Sequence, residues 1–284
     1  MAGDSTLFAS ERGLELSRLE WLLDHHQVKE RERRQMVDDM NLQVGDRVLD
    51  SASGPGLWAK MFAQSVGPYG KVTALDFEAD LIEYGRDSTA VDDVGSVLEF
   101  VLADFKALPF PERTFDAVFL GNCFCYLTDP LPVLLEHNRV AKPGGRIVSK
   151  EFCGASVVFH PIDPGLTLRV LAAASRGLED DSGEPPFDNF VGRKMYGLFQ
   201  QVGLHEVSNR SYAIQQLGPL SPAAKRYVTA NGEWYASKAA SYLSDGDRRR
   251  WEEAFDPNAD GYLLDRPDFY FCMVETVTTG RALP

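Results

Sequence analysis

Two acidic residues that follow apolar, strand-length runs are the first sign of chemistry in this sequence. The first, Asp50, is followed by small residues and then by Gly54 and Gly56, and the second, Asp76, comes about twenty residues after that turn. A glycine-containing turn between a strand and a helix leaves backbone N–H groups free to face a ligand. An acid about twenty residues beyond such a turn can accept hydrogen bonds from the hydroxyl groups of a ribose. The spacing therefore predicts a nucleoside site.

A parallel sheet is the element that would bring these two acids together. Strand-like and helix-like stretches alternate five times between residues 47 and 152, which is typical of a parallel sheet with helices on both faces. Ligands of such open sheets bind beyond the carboxyl ends of the strands, where both acids stand. The predicted strands are 47–50, 71–75, 97–102, 117–120 and 146–152, the predicted helices are 57–66, 79–88 and 131–140, and a turn is predicted at 142–145.

The regular alternation of predicted strands and helices ends after residue 152. Helices are predicted at 12–41, 166–176, 192–202 and 222–255, and two further strands at 206–215 and 268–278. About 50 residues separate these two strands, which is too long for a hairpin loop and indicates a helical insertion. The predicted organisation is an N-terminal helical cap 1–46, a cofactor-binding core 47–216, a helical insertion or lid 217–267 and a closing strand 268–284.

Composition and charge limit the class of protein. The 284 residues are 44% hydrophobic and 25% charged, which is ordinary for a globular protein. The formal net charge of −13 disfavours a nucleic-acid partner, because phosphates require a basic surface. Two arginine clusters, at 31–34 and 248–250, stand among acids, and we interpret both as solvated helix faces.

Cysteine spacing and hydropathy bear on the compartment. The four cysteines have neither the number nor the spacing of a disulfide framework or a zinc site, so no metal is predicted. Neither a leader-like N-terminus nor an apolar run long enough to span a membrane is present in the sequence. We therefore expect a cytoplasmic protein, monomeric or homodimeric, with a small-molecule substrate and without a membrane partner.

The motifs of the core resemble those of the class I S-adenosylmethionine-dependent methyltransferases, in the broad group that includes ubiquinone/menaquinone-biosynthesis enzymes. The stretch Asp50–Gly56 is similar to the glycine-rich loop of that family, with Ala52 in place of the family's first glycine. The stretches 108–110, 114–118 and 142–145 resemble its Leu-Pro-Phe, Phe-Asp-x-Val and Pro-Gly-Gly motifs. The resemblance covers the core and the closing strand. It implies a Rossmann-like α/β sheet of seven strands, mostly parallel with the last antiparallel, and a helical insertion before the last strand.

The resemblance also implies S-adenosylmethionine as cofactor, S-adenosylhomocysteine as product and a set of contact residues. Asp50 matches the acid at the end of strand one, Gly54 and Gly56 match the loop under the methionine part, and Asp76 matches the acid that binds the ribose. The other cofactor residues implied by the resemblance are Ser51, Ala52, Phe77, Asp104, Phe105, Gly121, Asn122 and Cys123.

Several of these residues have a plainer interpretation. Asp50 and Asp76 could cap helices, Asp104 could be an ordinary loop residue, and Phe77 and Phe105 could be core aromatics. These alternatives stay open on the sequence alone.

The resemblance predicts no universal catalytic residue, because methyl transfer needs orientation and a water-poor pocket, and a base only for an acceptor that starts protonated. His160 is the candidate base, and His25 and His26 are weaker candidates. His160 could instead be a surface-loop residue. Candidate substrate-pocket residues are Tyr126, Tyr227 and Trp234. Tyr227 and Trp234 could instead pack a lid helix onto the core.

Transfer of a methyl group to a small organic metabolite, in a biosynthetic pathway, is the predicted activity. One alternative keeps the fold and the cofactor pocket but catalyses a cyclisation or rearrangement. Another is a nicotinamide-dependent dehydrogenase, which the spacing from Asp50 to Gly54 and the proline at position 55 disfavour. A noncatalytic interaction protein on the same scaffold is the third alternative.

Overall fold

A computed structural model of the chain describes residues 16–90, 94–181 and 186–283. For these residues the chain divides into two compact units. We call the first the core unit and the second the helical unit. Within the described residues, the core unit consists of 31–90, 94–152, 191–212 and 275–283, and the helical unit of 16–30, 153–181, 186–190 and 213–274. The predicted domain boundaries at 46, 216 and 267 stay predictions.

A five-stranded parallel sheet forms the centre of the core unit. Its strands are β1 (Arg47–Ser51), β2 (Lys71–Asp76), β3 (Leu98–Leu102), β4 (Phe115–Gly121) and β5 (Ala141–Phe152), in the order β3-β2-β1-β4-β5. The strand order reverses between β1 and β4. In open α/β sheets a ligand binds at this reversal, outside the carboxyl ends of the strands.

The remaining strands complete a sheet of eight in the described part of the chain. They are β6 (Val158–His160), β7 (His205–Leu217) and β8 (Tyr270–Arg281), and β8 runs antiparallel to β5. The prediction of a mostly parallel sheet with an antiparallel closing strand is confirmed. The sheet has one strand more than the predicted seven because β6, which pairs antiparallel with the start of β8, is only three residues long and shows no periodic pattern.

Helices α3 (Leu57–Val66), α4 (Ala79–Thr89) and α5 (Leu131–Val140) connect the parallel strands and pack against them. The bounds of α3 follow from its flanking glycines, since Gly56 and Gly67 have φ of 76° and 65°, a backbone conformation that suits glycine. Two further helices of the core unit are α2 (Glu30–Asp39), which begins at the unit boundary, and α7 (Met195–Gln201).

The predicted turn at 142–145 lies inside β5. The pairing of β5 with β4 is irregular there, because Phe115 pairs with Ala141 whereas Ala117 pairs with Arg146. The extra residues of β5 therefore bulge away from β4, and Gly144 has a φ of 73°. The sequence located this irregularity but placed the start of the strand five residues too late.

The helical unit contains α1 (Leu19–Gln27), α6 (Pro164–Asp180), α8 (Pro222–Ala239) and α9 (Asp245–Phe255). The helical stretch predicted for 222–255 is two helices, because Ser221 and Ser244 each cap an N-terminus by accepting a backbone N–H bond. No helix within the described ranges is both long enough and apolar enough to cross a membrane.

Candidate functional site

The loop that follows β1 forms the centre of the candidate site. Ala52, Gly54 and Gly56 all have left-handed backbone conformations, with φ of 60°, 54° and 76°. The N–H of Ser53 donates to the carbonyl of Leu75 at 2.8 Å, which ties the loop to the end of β2. Glycine adopts a positive φ without strain, whereas an alanine Cβ is disfavoured there. Ala52 therefore occupies a position whose conformation suits glycine.

Replacing Ala52 by glycine should raise the free energy of unfolding by up to about 1 kcal/mol, because it removes the left-handed strain at this position. Urea denaturation of the purified variant measures the change. The control is Ala79→Gly at the start of α4, where the backbone is helical and glycine should lower stability by about 0.5–1 kcal/mol. A loss of stability in both variants would contradict the prediction.

Asp76 joins the loops that follow β1 and β2. Its Oδ2 accepts the N–H of Gly54 at 2.7 Å and its Oδ1 accepts the N–H of Glu78 at 2.9 Å. Burial raises the pKa of this carboxyl, and these N–H donors partly offset the effect. Asp76 is not the N-cap of α4, because Glu78 occupies that position. Each carboxylate oxygen has a second lone pair, so Asp76 can still accept hydrogen bonds from ligand hydroxyl groups.

Asp50, at the end of β1, is a buried carboxylate with one oxygen that accepts no hydrogen bond. The residue is 1% exposed, and the unsatisfied atom is Oδ2. Burial raises the pKa of Asp50 well above its usual value, whereas the backbone N–H of Ala59 and the charge of Arg33 lower it. An unsatisfied buried carboxylate oxygen is costly, so this position favours a donor or a cation from a ligand.

The residues after β3 stand beside Asp76, because the N–H of Ala103 donates to the carbonyl of Asp76 at 2.9 Å. Asp104 is exposed, and its Oδ1 accepts the N–H of Lys106 at 2.9 Å. Phe105 is buried, and Phe77, after β2, is half-buried. Leu102, which was not among the predicted site residues, pairs with Asp76 in the sheet and is 55% exposed. An apolar residue at a strand tip is the signal that could have identified it.

The end of β4 brings Gly121, Asn122 and Cys123 to the same edge of the sheet. Burial raises the thiol pKa of Cys123 well above its usual value, and the nearby charges of Glu151, Asp50 and Asp76 raise it further. These three acids end or nearly end three different strands, and their carboxyl groups lie near Cys123. The half-buried Tyr126 follows in a short 3₁₀ turn.

A buried charge network, to which the sequence analysis assigned no role, lies beside this point. Nζ of Lys150 is 2.7 Å from Oε1 of Glu275, both side chains are fully buried, and Nζ also donates to Oδ1 of Asn122 at 3.1 Å. Oε1 of Glu151 accepts the N–H groups of Cys123 and Phe124, each at 3.2 Å, while Oε2 of Glu151 accepts no hydrogen bond. Burial raises the pKa of Glu151 to about 8. Two charged residues in succession within an apolar strand were the available signal.

The buried His137 contacts Ser51, at the end of β1 and next to the loop that follows it. Nδ1 of His137 is 2.6 Å from the carbonyl oxygen of Val133, which can only accept, so Nδ1 carries the proton and Nε2 accepts the hydroxyl of Ser51 at 2.8 Å. Burial lowers the pKa of His137 from 6.5 to about 4. The ring is therefore neutral at pH 7 and holds Ser51 in place.

His137 should make the fold less stable as the pH falls from 6.5 towards 4. In this range the unfolded chain takes up a proton that the folded chain does not, which costs up to about 3 kcal/mol. Urea denaturation of His137→Gln between pH 4.5 and 7.5 should show a weaker dependence on pH than the parent protein. The exposed His205, replaced by glutamine, is the control and should leave the dependence unchanged. Equal pH dependence in all three proteins would contradict the prediction.

The interpretation of the first arginine cluster as a solvated helix face is wrong for one of its members. Arg31 and Arg34 are exposed, but Arg33 is 3% exposed. The buried face of α2 also includes Glu32, Met36 and Val37, and Arg33 lies on this face. Because most neighbours of Arg33 in the sequence are charged, the helical period did not indicate that Arg33 lies on the buried face of α2.

The other candidate residues lie in the helical unit. Tyr227 is 1% exposed, stacks on Trp21 with ring centroids 5.4 Å apart, and its hydroxyl donates to the sulfur of Met273 at 3.0 Å. Trp234 is buried, and His160 is exposed and pairs with Tyr270 between β6 and β8. His25 is buried with its Nε2 2.5 Å from Nζ of Lys29, and His26 is half-buried. A catalytic or substrate-binding role for these residues stays a prediction.

Comparison with known proteins agrees with the geometry of the core unit. Residues 49–149 match the protein family described as Methyltransferase domain. Over 120 residues the chain is 38% identical to the ubiquinone/menaquinone biosynthesis C-methyltransferase UbiE of Hahella chejuensis and 37% identical to the demethylmenaquinone methyltransferase of Staphylococcus aureus. Each match covers 42% of this chain and 48% of the relative. The chain thus spans about half the length of the curated relatives it matches.

Solved structures share the fold over a larger part of the chain. A SAM-dependent methyltransferase from Aquifex aeolicus matches with a TM-score of 0.51 and 22% identity, covering 68% of this chain and 89% of that one. The [4+2]-cyclase SpnF matches with a TM-score of 0.52 and 17% identity, covering 89% of this chain and 82% of that one. At these identities the likeness shows the fold alone.

Proposed function

We propose that this chain, whose residues 49–149 match the family described as Methyltransferase domain and which has a Rossmann-like α/β fold, binds S-adenosylmethionine and transfers its methyl group to a small organic molecule. The observation that carries the proposal is the geometry at the strand ends: Asp76 accepts the N–H of Gly54 at 2.7 Å, and Oδ2 of the buried Asp50 accepts no hydrogen bond. Buried carboxylates gain most from a cationic ligand that also donates hydrogen bonds. S-adenosylmethionine offers a sulfonium, an ammonium group and two ribose hydroxyls.

The residues at the strand ends fit this cofactor. Asp76 has lone pairs left for the ribose hydroxyls, and the unsatisfied Oδ2 of Asp50 can accept from the ammonium group. The exposed Leu102 with Phe77 and Phe105 supplies apolar surface for the adenine ring, for which Asp104 is the polar partner. These contacts are part of the proposal. The other proposed cofactor-binding residues are Ser51, Ala52, Gly54, Gly56, Gly121, Asn122 and Cys123.

The bound cofactor supplies an electrophilic methyl group on a sulfonium. The chain would contribute orientation, because Asp76 would hold the ribose and the loop after β1 would lie under the methionine part. Cys123 and Phe124, which follow β4, are buried, and a water-poor position of this kind would favour a step in which the charges of a sulfonium and an anionic acceptor are neutralised. His160 remains the proposed base for an acceptor that starts protonated.

The substrate is proposed to be a small organic molecule bound with help from Tyr126, Tyr227 and Trp234. The curated relatives carry names that refer to ubiquinone/menaquinone biosynthesis and to demethylmenaquinone, which makes hydroxylated aromatic acceptors the first class to test. We further propose a monomer or homodimer in the cytoplasm without a nucleic-acid partner, a point that the net charge of −13 supports.

Calorimetry and a transfer assay test this function together. We expect S-adenosylhomocysteine to bind and NAD to leave the protein unaffected, and a panel of hydroxylated aromatics should include an acceptor that releases S-adenosylhomocysteine from S-adenosylmethionine. Binding of NAD in place of S-adenosylhomocysteine would make the dehydrogenase alternative correct. Conversion of a substrate without release of S-adenosylhomocysteine would favour a cyclisation or rearrangement.

A further inference from the structure

Arg33 is a buried cation held at the edge of the candidate site. Its guanidinium carbon lies 4.7 Å from the ring centroid of Trp58, a distance that suits a cation–π contact. Trp58 is the second residue of α3, directly after the glycine loop. Nε1 of Trp58 lies 3.6 Å from the place that a Cβ on Gly121 would occupy. The ring that holds Arg33 therefore borders both the loop after β1 and the end of β4.

The charge of Arg33 acts on two other buried groups of the site. It lowers the pKa of Asp50 and also lowers the pKa of Lys150. Arg33 and Asp50 are 3% and 1% exposed, and Oδ2 of Asp50 accepts no hydrogen bond from any residue in the described chain. The buried guanidinium of Arg33 thus lies near the buried carboxylate of Asp50, whose Oδ2 can accept a hydrogen bond from a ligand.

Such a pair of charges matches one part of the proposed cofactor. The amino-acid end of S-adenosylmethionine is a zwitterion, with an ammonium and a carboxylate on the same carbon. Arginine binds carboxylates through two parallel N–H···O bonds, which makes it better suited to this group than lysine. The contact with the face of the Trp58 ring helps to hold the guanidinium in place beside the loop after β1.

We propose that Arg33 binds the carboxylate of the cofactor's amino-acid end, next to the ammonium group that faces Asp50. This inference rests on the proposed function. Residue 33 lies outside the segment 49–149 that matches the methyltransferase domain, so it is an assignment for this chain in particular. It makes α2 part of the cofactor site and explains why one arginine of a charged helix is buried.

Three ligands separate this role from simple packing of Arg33 on Trp58. S-adenosylhomocysteine carries the whole amino-acid end, S-adenosyl-3-thiopropylamine lacks only its carboxylate, and 5′-methylthioadenosine lacks both charged groups. The substitution Arg33→Gln should raise the Kd for S-adenosylhomocysteine about 10- to 100-fold, as expected for a lost charge-assisted pair, and calorimetric titration measures this change. The Kd values for the other two ligands should change by less than about threefold.

The neighbouring Arg34 is exposed, and Arg34→Gln is the matched control that should leave all three Kd values unchanged. Equal weakening of all three ligands by Arg33→Gln would show a packing role, and unchanged binding of S-adenosylhomocysteine would show no role. Either result overturns the inference. If Arg33→Gln does not fold, Arg33→Met takes its place with the same expected selectivity, since methionine removes the charge but keeps an apolar stem against Trp58, and binding of 5′-methylthioadenosine reports the fold. Failure of the parent protein to bind any of the three ligands would contradict the proposed function itself.

Discussion

Replacing Glu275 by glutamine should lower the free energy of unfolding by about 3–5 kcal/mol, because Lys150 would remain buried without its carboxylate partner. The two side chains are fully buried, and Nζ and Oε1 are 2.7 Å apart. Burial already lowers the pKa of Lys150, and the charge of Glu275 counteracts that effect. Glutamine keeps the size of the side chain and an acceptor, so the loss measures the missing charge.

The loss should also depend on pH in a defined direction. Without Glu275 the pKa of Lys150 falls further in the folded protein, while in the unfolded chain it stays near its ordinary value of about 10.4. The unfolded state then binds more protons at neutral pH, so the stability of Glu275→Gln should improve as the pH rises from 6 to 9 relative to the parent. Urea denaturation at several pH values provides the measurement.

Two further variants make this result interpretable. Glu206 is 77% exposed and forms an ion pair with Arg281, and Glu206→Gln should cost no more than about 1 kcal/mol. The double variant Lys150→Met with Glu275→Leu should recover much of the lost stability, since apolar side chains can replace a buried ion pair. A cost for Glu275→Gln no larger than that of the exposed control would contradict the prediction.

Replacing Asp76 by alanine should raise the Kd for S-adenosylhomocysteine by about 100-fold or more, equivalent to about 3 kcal/mol. Two causes act together. The ribose would lose the carboxylate that we propose as its acceptor, and the N–H groups of Gly54 and Glu78 would lose theirs. The loop after β1 would then also lose the bond that connects it to the end of β2.

Calorimetry with S-adenosylhomocysteine and 5′-methylthioadenosine measures this effect. Both ligands contain the ribose, so Asp76→Ala should weaken both, in contrast to the selective effect expected for Arg33→Gln. Asp80 is an exposed acid in the first turn of α4, and Asp80→Ala is the control that should leave both Kd values unchanged. Retention of parent-like affinity by Asp76→Ala would remove Asp76 from the proposed ribose site.

The sequence predicted elements best where local residues define them. Helix α3 begins and ends as predicted because Gly56 and Gly67 flank an apolar helical period. The start of β5 was misplaced, because it depends on a shift in pairing with β4. The break between α8 and α9 was not predicted, because it depends on a serine cap within an otherwise helical pattern. Pairing partners far apart in the chain leave no local signal.

The sequence by itself determined which residues stand at the ends of the parallel strands, including Asp50, Gly54 and Asp76, because strand period and turn chemistry are local properties. Only the tertiary structure decided which distant charges meet. Lys150 and Glu275 become a buried pair because β8 runs antiparallel to β5 in one particular register, and Arg33 is buried because one face of α2 packs inward. Burial changes a charged side chain from a solvated group into one that requires a partner. Whether a side chain is buried depends on neighbours that are distant in the sequence, so no local pattern predicts it.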